Sequence, residues 1–245
     1  IYKQDSSKYH EIEFFKSSLL KNLGRFTHTE NVVLKEMTYQ NPSKENQAED
    51  FSHALSKDRQ NIVILPEEQD QAFVSTVITQ LYFQLRDYDV QVFGLPHFSR
   101  FTKEFQYFHS LKLRYLSPFH YDYQDEQIIR FLDHYSSHFD AEPHLETRKG
   151  CSYAFIGHDL TYYFIKSVYT GRRNFVSRLN ELQIDNLLPS FYFVRKSRYG
   201  GFENQTLKLV TYSKDFEVIS RDTRLVTDPD PAERLRRLFF EREVY

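Results

Sequence analysis

The chain has 245 residues, 32 of them basic and 34 acidic, for a net charge of −2. That balance excludes the basic footprint of a nucleic-acid binder and the polybasic anchor of a membrane-surface protein, and no apolar run approaches the ~18–20 residues that span a bilayer. The one cysteine, Cys151, excludes an internal disulfide and a multi-cysteine zinc site, and leaves the compartment open, since many exported proteins have no disulfide.

Aromatic content is the unusual feature: 23 Phe and 18 Tyr, no Trp, and seven Gly. Large side chains are expected to fill the core, with tyrosines where one end is apolar and the other wet. The opening IYKQDSSKYH has no signal-peptide pattern and no initiator Met, so a processed or truncated piece is expected. Ile1 to Lys3 read as a strand end. A helix follows over 8–23, with Ile12, Phe15, Leu19 and Leu23 on one face and Gly24 as its stop. ENVVLKEM, 30–37, reads as a strand, and 43–58 as a polar helix anchored by Phe51 and Leu55.

NIVILPEEQDQAFVST, 61–76, reads as strand, loop and helix. Ile62 to Leu65 form a continuous apolar run, as expected of a parallel strand covered on both faces. Phe73, Val77, Leu81 and Leu85 recur every four residues, and Val74, Ile78 and Tyr82 widen that stripe. DYDVQVFGLP, 87–96, supplies a second strand and completes a βαβ unit. Ligands of open parallel sheets sit beyond the carboxyl ends of the strands, here Pro66-Glu67-Glu68 and Pro96-His97. No glycine lies between Asn61 and Val92, and Glu67, Glu68 and Asp70 already place negative charge at the helix N-terminus. A nucleotide phosphate is excluded there. The acids either border a cleft or simply cap the helix.

Residues 98–122 read as irregular, with a short strand at 111–118. Helices are expected over 124–139, over the strongly apolar 151–168 and over 174–182, with AEPHLETRKG as a loop between the first two. FYFVRKS, TLKLVTY and FEVIS then form an antiparallel meander with turns at RYGGFENQ and SKD. The tail carries a helix start signal in Asp230, Pro231 and Glu233.

Few constellations propose chemistry. His134 and His138 lie four apart on one helix face, with His144, Glu142 and Glu146 nearby. The His-Glu-x-x-His pattern is absent, and a solvated face is the expectation rather than a metal site. Cys151 opens an apolar helix, the setting of a structural thiol. There is no Gly-x-Ser-x-Gly elbow. In IGHDLTYYF, Asp159 is expected to hydrogen-bond a neighbouring loop and His158 to sit at the edge of the packed face, because burying either unpaired is costly. No reaction, cofactor or metal is proposed.

Three segments taken in order resemble the type 1 periplasmic-binding-protein fold of the branched-chain amino-acid receptor family. They are NIVILPEEQDQAFVSTVITQL with YDVQVFGLPHF, then AFIGHDLTYYFIKSV, then GGFENQTLKLVTYSKDFEVI. The likeness is closest to LysM-associated envelope members of Bacteroidetes-like bacteria. Where the family helix reads Gly-Tyr-Asp, this chain has Gly157-His158-Asp159. The resemblance implies α/β lobes with parallel sheets and a C-terminal antiparallel meander, to which the start signal at Asp230 adds a tail helix. Residues 1–117 correspond to the second lobe and 118–220 to the hinge return and the C-terminal part of the first lobe, while the tail with its short helix, 221–245, has no counterpart in the family. The opening half of the first lobe is missing.

The resulting expectation is a non-catalytic, exported ligand-binding module of the periplasm or cell envelope, closing on a small polar, amino-acid-like solute by a hinge. Its expected ligand residues are Gln4, Asp5, Glu67, Glu68, Pro96, His97 and Tyr121. The alternative is a degenerate binding fold kept as a protein-protein or peptidoglycan-associated scaffold, which the aromatic content suits. A missing N-terminal segment or a partner chain is expected to cover helix 151–168, since a free surface helix cannot be apolar around most of its circumference.

Overall fold

The computed structural model describes residues 1–3, 9–26, 33–39, 51–66, 70–146, 151–181, 187, 191–195 and 201–224. The described residues fall into two compact units, within Ile1–Phe93 and within Gly94–Leu225. The α/β class expected from the sequence is the one observed.

In the first unit, strand β1 (Tyr2–Lys3) pairs in parallel with β2 (Thr38–Tyr39), and helix α1 (Tyr9–Phe26) lies between them in sequence. Helix α1 continues through Gly24, where a stop was expected, because one interior glycine costs only ~1 kcal/mol against alanine. Its predicted apolar face is only partly covered: Ile12 is buried while Phe15 is exposed. The strand expected over 30–37 is not formed at 33–37. Of the helix expected over 43–58, residues 51–53 form a short 3-10 turn and 54–58 are not helical, while 41–50 lie outside the described residues. Phe51 is nonetheless a core residue, as its anchoring role predicts.

The βαβ unit is formed as expected. Strand β3 (Asn61–Ile64) pairs in parallel with β4 (Val90–Phe93), with helix α2 (Gln71–Gln84) as the crossover. Asn61 fixes the start of β3. Its Oδ1 accepts from Ser56 N at 2.7 Å, while its Nδ2 donates to Ser56 O at 2.8 Å and to Asp89 O at 3.1 Å. Asp70 caps α2 by accepting from Phe73 N at 3.0 Å, satisfying one of the four orphan N–H groups. Of the stripe read from the sequence, Phe73, Val74, Val77, Ile78 and Leu81 are fully buried, while Leu85 is half-buried and Tyr82 is exposed. Coverage on both faces holds for β4, where Val90, Gln91 and Val92 are buried, but not for β3, where Ile62 is 61% exposed.

The second unit begins at Gly94. A β-carbon there would lie 2.5 Å from Phe98 Cδ2 and 3.1 Å from Leu113 Cδ1, so only glycine lets the chain pass its own aromatic core. The stretch expected to be irregular is largely helical: 3-10 turns over Pro96–Arg100 and Thr102–Glu104 lead into helix α3 (Phe105–Ser110). These turns place Phe98, Phe101 and Phe108 inside. Stacked ring pairs join Phe98 to Phe101 at 5.6 Å and to Phe108 at 6.3 Å.

Strand β5 (Arg114–Ser117) follows. Helix α4 (Glu126–Phe139) starts at Asp125, whose side chain accepts from Gln127 N, and stops at Asp140 in the left-handed region. A two-residue ladder, β6 (Leu145–Glu146) with β7 (Cys151–Ser152), ties the ends of the loop that precedes helix α5 (Tyr153–Gly171). A run of 3-10 turns, Arg172–Glu181, comes next, where a shorter α-helix was expected. The meander is split: β8 (Phe193–Arg195) pairs with β9 (Phe202–Asn204), while β10 (Thr206–Tyr212) pairs antiparallel with β5 and with β11 (Val218–Arg224). Thr206, Val210 and Tyr212 are buried on one face of β10, the alternation of a half-covered strand. Strand β11 runs to Arg224, into the stretch read as tail. The predicted tail helix lies outside the described residues.

Candidate functional site

Gln4, Asp5, Glu67 and Glu68 lie outside the described residues. Pro96 opens the first 3-10 turn of the second unit, where its fixed φ suits the first helical position. His97 is half-buried, edge-on to Phe98 at 4.9 Å and to Phe101 at 5.6 Å. Tyr121 is a core residue elsewhere in that unit. Its ring packs 4.5 Å from Phe155, and its hydroxyl accepts from Ser152 N at 2.8 Å, at the residue that caps α5. Pro96 and His97 are therefore neighbours, while Tyr121 belongs to the wall between α4 and α5.

That wall borders a pocket of about 320 Å³, lined by Gln127, Arg130, Phe131 and His134 of α4, His158 and Tyr162 of α5, and Leu187. Beneath it lies a core of Tyr121, Ile128 and Phe155, flanked by Phe131, Leu132 and Ile156. Helical spacing explains the lining. Residues 127, 130, 131 and 134 fall one turn apart on one face of α4, and 158 and 162 do so on α5.

The pocket's chemistry turns on Asp159, which is fully buried. A buried carboxylate must be hydrogen-bonded. Its Oδ1 accepts from Leu187 N at 3.1 Å and meets His158 Nδ1 at 3.0 Å. Both halves of the sequence expectation hold: the acid grips a neighbouring loop, and the histidine stays at the edge, 41% exposed. With a carboxylate at Nδ1, that nitrogen carries the proton, which leaves Nε2 as the atom able to meet a ligand. The imidazole is held flat against Tyr162, 6.0 Å away with planes 15° apart, and edge-on to Phe131 at 5.0 Å. Arg130 lies over the first turn of α4, paired with Glu126 at 3.5 Å, both largely exposed.

Farther along α5, Tyr163 is buried and its hydroxyl donates to Leu179 O. Burial pushes that phenol upward. Phe191 and Phe193 pack on the same ring, so the helix is fixed on the side away from the pocket's polar groups.

His134 lines the pocket, whereas His138 stacks edge-on to Phe139 at 4.7 Å. Among the described residues no three His, Cys, Asp or Glu side chains converge as metal ligands, and no helix is long and apolar enough to cross a membrane. Gln127, Arg130, Phe131, Tyr162 and Leu187 are the lining residues that sequence reasoning missed. The signal was present: the 127/130/131/134 spacing is as regular as the 134/138 pair that drew attention.

No protein-family model matches the chain, and no curated protein matches it. Among solved structures it is similar to a branched-chain amino acid ABC transporter periplasmic ligand-binding protein from Burkholderia xenovorans, at TM-score 0.38 and 13% identity. The match covers 66% of this chain and 44% of that one, so the chain spans less than half the length of that protein. Neither ligand nor partner carries over from a likeness at that level.

Proposed function

We propose that the protein is a non-catalytic, binding-protein-like module of the cell envelope that takes a small polar solute. The observation that carries this reading is the pocket between α4 and α5. This open concavity has apolar walls in Phe131, Tyr162 and Leu187 and polar groups in Gln127, Arg130, His134 and His158. The finer form adds hinge closure of two lobes, 1–117 and 118–220, on an amino-acid-like ligand, with Gln4, Asp5, Glu67, Glu68, Pro96, His97 and Tyr121 as the grip. It also adds an exported, periplasmic location and kinship with LysM-associated envelope proteins of Bacteroidetes-like bacteria. The test is calorimetric titration of the chain with small acids, amines, amino acids and sugars, repeated on Arg130→Gln and on Glu67→Ala. Saturable binding lost in Arg130→Gln supports the α4/α5 pocket. Loss in Glu67→Ala instead supports the hinge form, and a panel with no binder counts against both.

A second reading, an interaction scaffold, is favoured by α5. Ile165, Val168 and Tyr169 share one helical face and are 65%, 50% and 85% exposed. Under this reading an upstream segment or a partner chain covers that face. Light scattering at rising concentration tests it: self-association abolished by Ile165→Asp supports a covered face, and a monomer indifferent to that change speaks against it.

A further inference from the structure

Helix α5 keeps only a narrow stripe inside. Phe155, Asp159, Tyr163 and Ser167 recur every four residues and are buried, whereas Ile165, Val168 and Tyr169 on the opposite side are exposed. A helix facing water there would carry polar residues, and an exposed apolar cluster marks an interaction surface. The rim of that surface is basic. Residues 153–173 contain Lys166, Arg172 and Arg173, and their one acid, Asp159, is fully buried. Lys166 lies over the Tyr162 ring at 5.4 Å. Arg172 and Arg173, at the end of the same face, are exposed and in no ion pair among the described residues. The same unit carries the complement. Residues 125–140 contain Asp125, Glu126, Asp133 and Asp140 against Arg130 alone. Asp125 is occupied as the cap of α4 and Glu126 by Arg130. At the far end of α4, Phe139 is 60% exposed, and Asp133, Asp140 and Glu142 are exposed and in no ion pair among the described residues.

Resting on the scaffold reading above, we infer that the occupant of the α5 face is a second copy of this chain. The end of α5 on each copy meets the end of α4 on the other. Tyr169 and Phe139 form the apolar centre, and Arg172 and Arg173 face Asp133, Asp140 and Glu142 at the rim. A twofold axis makes both contacts at once, so the assembly closes as a dimer. The opposite charges decide which ends meet, and the apolar centre supplies the affinity.

The experiment is sedimentation velocity of the chain over a wide range of concentration, beside two charge-reversal variants. One carries Arg172→Glu with Arg173→Glu, the other Asp133→Arg with Glu142→Arg; Asp140 is kept because its backbone is left-handed. The parent is expected to pass from monomer to dimer. Each variant alone sets like charges together and is expected to weaken the dimer about tenfold. Mixed in equal amounts, the two variants are expected to recover the parent's affinity, since one contact is then native and the other has its charges exchanged. That recovery also shows that both variants are folded. A parent that stays monomeric overturns the second copy and speaks against the scaffold reading with it. Dimers lost in Ile165→Asp but indifferent to both charge variants, or not recovered on mixing, keep a covered α5 face and overturn its contact with α4. Open-ended polymers overturn the twofold closure.

Discussion

His120 makes the second unit acid-sensitive in a calculable way. It sits half-buried in the turn between β5 and α4. Burial, and then the positive charge of Lys208, pull its pKa down to about 4 from the usual 6.5, with Asp122 opposing weakly. Lys208 is well placed for this, because it faces Ser117 across the β5–β10 ladder, three residues from the histidine. The folded state thus resists a proton that the unfolded chain accepts. The contribution to stability is fully present above the unfolded value, near pH 6.5, and is lost as pH falls toward the folded value, about 4. One pKa unit corresponds to 1.36 kcal/mol, so the loss is about 3 kcal/mol below both values and about 2 kcal/mol between pH 7 and pH 5. The assay is a set of urea melts at pH 7.5, 6.5, 5.5 and 5.0 on the parent chain and on His120→Asn. The parent should lose about 2 kcal/mol more than the variant across that range. Staying above pH 5 keeps most carboxylates ionised and out of the comparison. Lys208→Met should shrink the difference, since it removes the second cause. Parallel declines of parent and His120→Asn would refute the reasoning.

Three further outcomes follow from side-chain geometry. Gly94→Ala places a methyl against the buried ring of Phe98, so urea melts should show a loss of about 1–3 kcal/mol from overpacking; an unchanged midpoint would mean that the ring moves aside freely. Asp70→Ala removes the cap on Phe73 N and should cost about 1 kcal/mol, with Asp70→Ser recovering most of it in the same melts. Asp159→Ala strips the acceptor from both Leu187 N and His158 and should cost about 1–3 kcal/mol, whereas Asp159→Asn keeps an oxygen for Leu187 N and should cost less; equal losses would mean that charge, not hydrogen bonding, holds the 187 segment.

How much of this was legible in the sequence depends on whether the signal was local. The βαβ unit was, because β3 leads a continuous apolar run and α2 keeps a four-residue repeat whose first residues, from Phe73 to Leu81, are fully buried. The starts of α2 and α4 could be read from Asp70 and Asp125, whose side chains make the capping bonds themselves. The helical character of 96–110 was not legible. Its phenylalanines recur at 98, 101, 105 and 108, a helical spacing, yet the stretch from 98 was read as irregular, and what fixes the turns is packing of those rings on one another. Tyr121 was read as a ligand residue near the hinge; its hydroxyl accepts from the backbone N–H of Ser152, a contact between positions thirty-one apart that no local pattern carries. The pocket shows the same division. Each helix alone displays an ordinary polar stripe, and only the packing of Phe131 against Phe155 and His158 turns the two stripes toward one space. Asp159 is where the two kinds of information meet. Its burial inside an apolar helix was readable as a demand for partners, and the demand is met by one neighbour in sequence and one distant backbone N–H. A residue required to satisfy both cannot be exchanged for a hydrophobic one without disturbing the histidine it orients. In this site the polar residue that stabilises the packing also sets which atom of His158 a ligand would meet.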